Sequence, residues 1–179
     1  AEAACRADLA MSARLFFALV PPTELADDIV PRAARLGLGG RLETPSRLHL
    51  TLAFHGVCDR QAVQQLMARG QAVRGSAFTL CIDRVGGFRR ARSVWFGPER
   101  APQRLHDLAG EFAPDGVDPT SFTPHITVIR DCAPPTPRPL FPPLIWHVSH
   151  VALIESGRQG APGAYRQLAR WRLPDAPGA

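Results

Sequence analysis

RLHLTLAFHG, residues 47–56, is the stretch whose reading decides the fold. Read as a strand, it sends alternate side chains to opposite faces. Leu48, Leu50, Leu52 and Phe54 then form an apolar face, and His49, Thr51, Ala53 and His55 form the other. The wet face of an ordinary half-buried strand carries Lys, Glu or Thr; this one carries a histidine with a threonine two residues on. The same pattern returns in HITV, residues 125–128, where His125 and Thr127 share one face and Ile126 and Val128 the other. The two histidines are 76 residues apart, close to half of the structured length. Each motif follows an earlier strand and helix. This implies a two-fold duplicated architecture in which each half brings one histidine to a shared cleft.

The flanking segments fit alternating strands and helices. RLFFALV (14–20) reads as a buried strand ended by Pro21 and Pro22. Thr23 is positioned to cap a helix through Leu25, Ile29 and Leu36, which Pro31 should kink or shorten. Asp59 should cap a second helix carrying Val63, Leu66, Met67, Gly70 and Val73 at helical spacing. FTLCID (78–83) and SVWFG (93–97) read as strands joined by an Arg-rich turn, RVGGFRRAR, and Pro98-Glu99 should open a third helix. APPTPRPLFPP (133–143) reads as a Pro-rich linker, and WHVSHVALIES (146–156) and YRQLARWRL (165–173) as a terminal hairpin across a Gly-rich turn. The expected organisation is a disordered extension over 1–12, a single domain over 13–174 and a disordered tail over 175–179. The class is α+β with antiparallel pairing.

Bulk composition sets weaker bounds. The chain has 179 residues, 45% hydrophobic and 21% charged, which is ordinary globular composition and argues against a disordered chain. All 21 basic residues are Arg, a pattern we read as genomic base-composition bias. A formal charge of +5 suits a protein that meets phosphates, since the planar guanidinium fork matches them well. Cys5, Cys58, Cys81 and Cys132 include no CxxC pair, so free thiols in a reducing cytoplasm are expected. No apolar run is long enough to span a bilayer.

HLTL and HITV, with RLFFALVPP near the start and ARWRL near the end, resemble the 2H phosphoesterase superfamily. Within it the likeness is to the RNA 2′,3′-cyclic phosphodiesterases, also called 2′-5′ RNA ligase-like proteins, and it runs from about Arg14 to Leu173. The resemblance implies a bilobal, pseudo-two-fold fold: two antiparallel sheets, helices packed outside and a central cleft. It further implies His49 as proton donor, His125 as proton acceptor and a 2′-phosphomonoester product.

That chemistry suits these residue types. Opening a 2′,3′-cyclic phosphate takes a proton from the attacking water and gives one to the leaving oxygen. Two imidazoles can do both near neutral pH. Thr51 and Thr127 share their histidines' faces and can donate to non-bridging phosphate oxygens. Arg130 is a candidate phosphate ligand, although strict alternation puts it on the face opposite His125. Arg89 and Arg90, in the Arg-rich turn, are candidates for tracking an RNA backbone. No cofactor and no metal is expected. His55 reads as a strand end, and His106, His147 and His150 as structural. The expected partners are RNA ends or nucleotides bearing a 2′,3′-cyclic phosphate, with no membrane, no obligate protein partner, a monomeric state and a cytoplasmic location. Two other readings stay open: the reverse reaction, joining RNA ends by a 2′-5′ bond, and a non-catalytic module that binds RNA ends or nucleotides.

Overall fold

The computed structural model describes residues 13–118, 122–157 and 165–175. The expected N-terminal extension and all of the expected tail except Asp175 lie outside these, as does most of the Gly-rich turn before residue 165. In chain order the elements are β1 (Ala13–Leu19), α1 (Thr23–Ala34), β2 (Arg41–Leu42), a 3-10 turn (Pro45–Arg47), β3 (Leu50–Cys58), α2 (Arg60–Gln71), β4 (Phe78–Phe88), β5 (Ser93–Gly97), α3 (Gln103–Phe112), β6 (Ile126–Arg130), β7 (Arg138–Val148), β8 (His150–Ser156) and β9 (Tyr165–Arg172).

The strands pair antiparallel in the order β7-β4-β5-β6-β3-β1-β8-β9, with β2 added on β6. The two sheets expected from the sequence are therefore two halves of one hydrogen-bonded sheet. Their seam is slender: β3 and β6 meet at a single registered pair, Leu50 and Ile126. That pair lies within the two motifs. Leu25, Ile29, Val63, Leu66, Leu105, Leu108 and Phe112 from all three helices share one core cluster with Leu15, Phe17, Leu50, Phe96 and Ile126 of the sheet. The helices thus cover one face. The opposite face carries a small separate cluster of Phe16, Ala18, Ala152 and Ile154, with Tyr165 packed against it.

Several local expectations change. Thr23 is the first residue of α1, not its cap; Pro22 holds the cap position without a side-chain hydrogen bond. The helix continues through Pro31 to Ala34. Asp59 does cap α2, its Oδ1 accepting from the Ala62 amide at 2.8 Å. The third helix starts only after Pro102. Half of the expected turn at 84–92 is strand, because β4 runs on to Phe88 against β5. Much of the expected Pro-rich linker is likewise strand: β7 pairs with β4 alone and forms an edge of the sheet, where a proline's missing amide costs no ladder bond. Cys58, Cys81 and Cys132 are free.

The two motif strands also break strict alternation, at equivalent places. In β3 the pairing with β1 steps from Thr51 to Ala53, and in β6 the pairing with β5 steps from Thr127 to Ile129. Leu52 and Val128, each the residue after a motif threonine, are therefore the extra residues of two β-bulges. Each bulge turns its strand over beyond that point, in β3 as far as a second irregularity at His55, where the pairing steps from Phe54 to Gly56.

Candidate active site

The pairing of Leu50 with Ile126 generates the site. Both side chains are fully buried. Carried one residue either way, the antiparallel register sets His49 against Thr127 and Thr51 against His125. All four side chains leave by the face that Leu50 and Ile126 do not use, and all four are half-buried. The seam of the sheet thus puts these four side chains side by side on one face.

Each histidine is fixed in the same way. His49 Nδ1 lies 2.7 Å from the carbonyl oxygen of Arg47, and His125 Nδ1 lies 2.8 Å from that of Thr123. A carbonyl only accepts, so both Nδ1 atoms carry the proton and donate. Among the described residues no hydrogen bond takes either Nε2, which leaves both for chemistry. Aromatic rings pack against each imidazole: Phe16 at 5.1 Å and Tyr165 at 5.0 Å from His49, Phe88 at 4.8 Å and Trp95 at 6.3 Å from His125. Gly86 makes room for Trp95, since a β-carbon there would fall 2.3 Å from the indole.

Arg130 departs from its expected side. The bulge at Val128 places Arg130 opposite Ser93, two residues from Trp95 along β5, and so on the histidine face. Its charge reaches both imidazoles. Burial, above all, holds the pKa of both histidines below the ordinary 6.5, and Arg130 lowers both further. The Arg47 and Thr123 carbonyls act the other way, and Glu43 also favours protonated His49.

Glu43 is the residue that sequence reasoning missed. It is 3% exposed, forms an ion pair with Arg130, and stands 3.1 Å from Arg47 in a second. Arg47 in turn lies over the Tyr165 ring, 4.9 Å from its centroid. The only signal in the sequence was the i,i+4 spacing of Glu43 and Arg47, which is common on any surface.

Arg89 and Arg90 are exposed in the turn after Phe88 and are not drawn to the histidines. His55 is half-buried within β3 rather than at its end, with Nε2 donating to the Phe112 carbonyl at 3.0 Å and its ring edge-on to Phe17. His106 packs edge-on to Phe122 rather than standing clear on the wet side of α3, and His147 is exposed. Among the described residues there is no cluster of three or more His, Cys, Asp or Glu placed to hold a metal ion.

Two imidazoles with free Nε2 atoms, two hydroxyls and a guanidinium on one sheet face form a set suited to acid/base chemistry on a phosphate ester. Comparison with known proteins gives the family. A model of LigT-like phosphoesterases matches residues 19–95. The RNA 2′,3′-cyclic phosphodiesterase of Escherichia coli (strain K12) is 33% identical over 170 residues, spanning 89% of this chain and 96% of that protein. A protein of the same name from Thermotoga maritima is 28% identical over 59% of this chain and 61% of its own length. The crystal structure of E. coli LigT complexed with 3′-AMP superposes with a TM-score of 0.79 at 30% identity, covering 90% of this chain and 98% of that one. The chain belongs to the LigT-like phosphoesterase family.

Proposed function

We propose that this protein is an RNA 2′,3′-cyclic phosphodiesterase that opens a terminal cyclic phosphate to a 2′-phosphomonoester, using His49 and His125 as the acid/base pair. The observation that carries the reading is the quartet of His49, Thr51, His125 and Thr127 at the sheet seam, with both Nδ1 atoms tied to carbonyls. The relatives' shared name supports the substrate class.

In this mechanism neutral His125 takes a proton from water through Nε2 as the oxygen attacks phosphorus. Protonated His49 gives its Nε2 proton to the departing 3′-oxygen, leaving phosphate on the 2′-oxygen. The carbonyl bonds at Nδ1 stop the rings from turning and hold Nε2 toward the substrate. Thr51 and Thr127 donate to the non-bridging oxygens, and Arg130 offers a planar fork to the same group. Burial favours the neutral form of both imidazoles, and the anionic phosphate and Glu43 are what favour a proton on His49. One group must be neutral and the other charged, so the pH–rate profile is a bell. Arg89 and Arg90 are placed to meet only a longer RNA, as exposed cations in a turn beside Phe88. The proposed setting is the cytoplasm, and the proposed working unit a monomer.

The test is incubation with a short RNA ending in a 2′,3′-cyclic phosphate, with the position of the product phosphate assigned by phosphorus NMR. A 2′-phosphate product supports the reading. A 3′-phosphate reverses the roles of the two histidines, and no product with retained RNA binding overturns the enzyme in favour of a binding module.

A further inference from the structure

The site contains a buried charge network that the two-histidine mechanism does not call for. Burying a carboxylate is costly unless it is paired, and Glu43 is paired twice. Its partners approach from different elements: Arg47 ends the 3-10 turn just before β3, and Arg130 ends β6. Arg47 is further held against Tyr165, whose ring is edge-on to His49. The carboxylate oxygen facing Arg47 and the Arg47 Nε are both buried, and neither makes an aligned hydrogen bond. They meet as charges more than as a directed bond.

The groups that face His49 are Phe16 from β1, Glu43 and the Arg47 carbonyl from the segment before β3, Arg130 from β6 and His125 just before it, and Tyr165 from β9. Among the described residues Glu43 is the one carboxylate whose charge reaches this imidazole. Without it, a proton donor would stand beside the uncompensated Arg130 guanidinium and a second imidazole. Like charges at such range oppose protonation.

We propose that Glu43 is a positioning residue: its buried carboxylate anchors Arg130 and Arg47 beside the histidine pair and balances their charge, so that the cleft holds an imidazolium and a phosphate together. The proposal rests on the reading of His49 as the proton donor. Glu43 touches no substrate and acts through the two arginines and through its field on His49. Its loss leaves more positive charge facing the phosphate, so ground-state binding is kept while proton donation suffers. The signature is therefore in kcat, not in KM.

The experiment follows the imidazole signal of His49 by proton NMR, assigned by its absence in His49→Ala. Wild type, Glu43→Gln, Arg130→Gln and the double variant Glu43→Gln/Arg130→Gln are titrated, with kcat and KM measured alongside. In Glu43→Gln the His49 midpoint falls by about one pH unit, a tenfold change in proton affinity. The kcat at neutral pH falls by a similar factor while KM does not rise. The double variant brings the midpoint back toward wild type, and Arg130→Gln moves it up. An unmoved midpoint in Glu43→Gln, with only a lower melting temperature, overturns the proposal and leaves a structural ion pair. Should Glu43→Gln fail to fold, Arg130→Gln decides: a raised midpoint supports the proposal and an unchanged one overturns it. The midpoints are readable without turnover, so absence of phosphodiesterase activity in wild type counts against the function and not against this network.

Discussion

Replacing Gly86 by alanine tests whether the aromatic wall behind His125 matters to catalysis. The new β-carbon would stand 2.3, 2.4 and 2.8 Å from three ring atoms of Trp95. Carbon atoms rest about 3.5–4.0 Å apart, so the indole must retreat by more than about an ångström. Gly86 and Trp95 are paired across β4 and β5, and no other register relieves the overlap without slipping both strands. Overpacking of this kind costs about 1–3 kcal/mol. At about 2–4 °C per kcal/mol for a chain of this size, the melting temperature should fall by roughly 2–12 °C. The displaced ring abuts His125 and Phe88, so the imidazole loses a supporting wall. A catalytic group misplaced by about an ångström can cost about a hundredfold in rate. The assay is cyclic-phosphate hydrolysis beside thermal melting, with Gly39→Ala as control, because a β-carbon at Gly39 meets nothing within 4 Å. Wild-type kinetics in Gly86→Ala, at whatever melting temperature, would refute the idea that Trp95 supports His125.

Thr127→Val keeps the β-branched shape in β6 and removes one hydroxyl; a lost donor to phosphate is worth about 2–3 kcal/mol, so kcat/KM should fall about 30- to 150-fold with little change in melting temperature. Thr51→Val should behave alike by the local symmetry, and a loss below about threefold in either, far less than one charge-assisted donor is worth, would remove that threonine from the mechanism. Acid should destabilise the fold. His49, His55, His125 and His150 all have pKa values lowered from 6.5, with burial the largest cause. Their contribution is full above 6.5 and is lost as pH falls through the depressed folded values, because the unfolded chain then binds more protons. Melting temperatures taken from pH 7.5 down to 5 should decline, and a rise on acidification would contradict the sign.

What was legible in the sequence, and what was not, divides at the residue after each motif threonine. His49 and Thr51 lie where period-two reading puts them, and so do His125 and Thr127. Beyond Thr51 and Thr127 a bulge adds one residue to the strand, and the same reading then misplaces Ala53 and Phe54 in β3 and Arg130 in β6, until a second irregularity at His55 restores the phase of β3. Thus Arg130 reaches the histidines instead of facing the helices. Phe54 lies opposite Phe16 and is 49% exposed, whereas Ala53, expected on the wet face, is buried. A bulge leaves no reliable mark in composition, because it is settled by what the neighbouring strand presents. The strand over 138–143 was hidden by its prolines, which signal a linker unless the strand is known to be an edge. Glu43 was illegible for a third reason: an acidic residue reads as solvated until the fold supplies two arginines to bury it with.

The central claim is that two histidines, one from each half of the sheet, share a single reaction. Its most direct test is single-turnover hydrolysis of an RNA 2′,3′-cyclic phosphate, in the presence of chelator, by wild type, His49→Ala, His125→Ala and the double variant. Both single variants should lose at least about a hundredfold in rate while still binding the RNA, and the double variant should be little worse than either, because acid and base act as a unit. Activity that survives the loss of either histidine, or that chelator abolishes in wild type, would contradict the account.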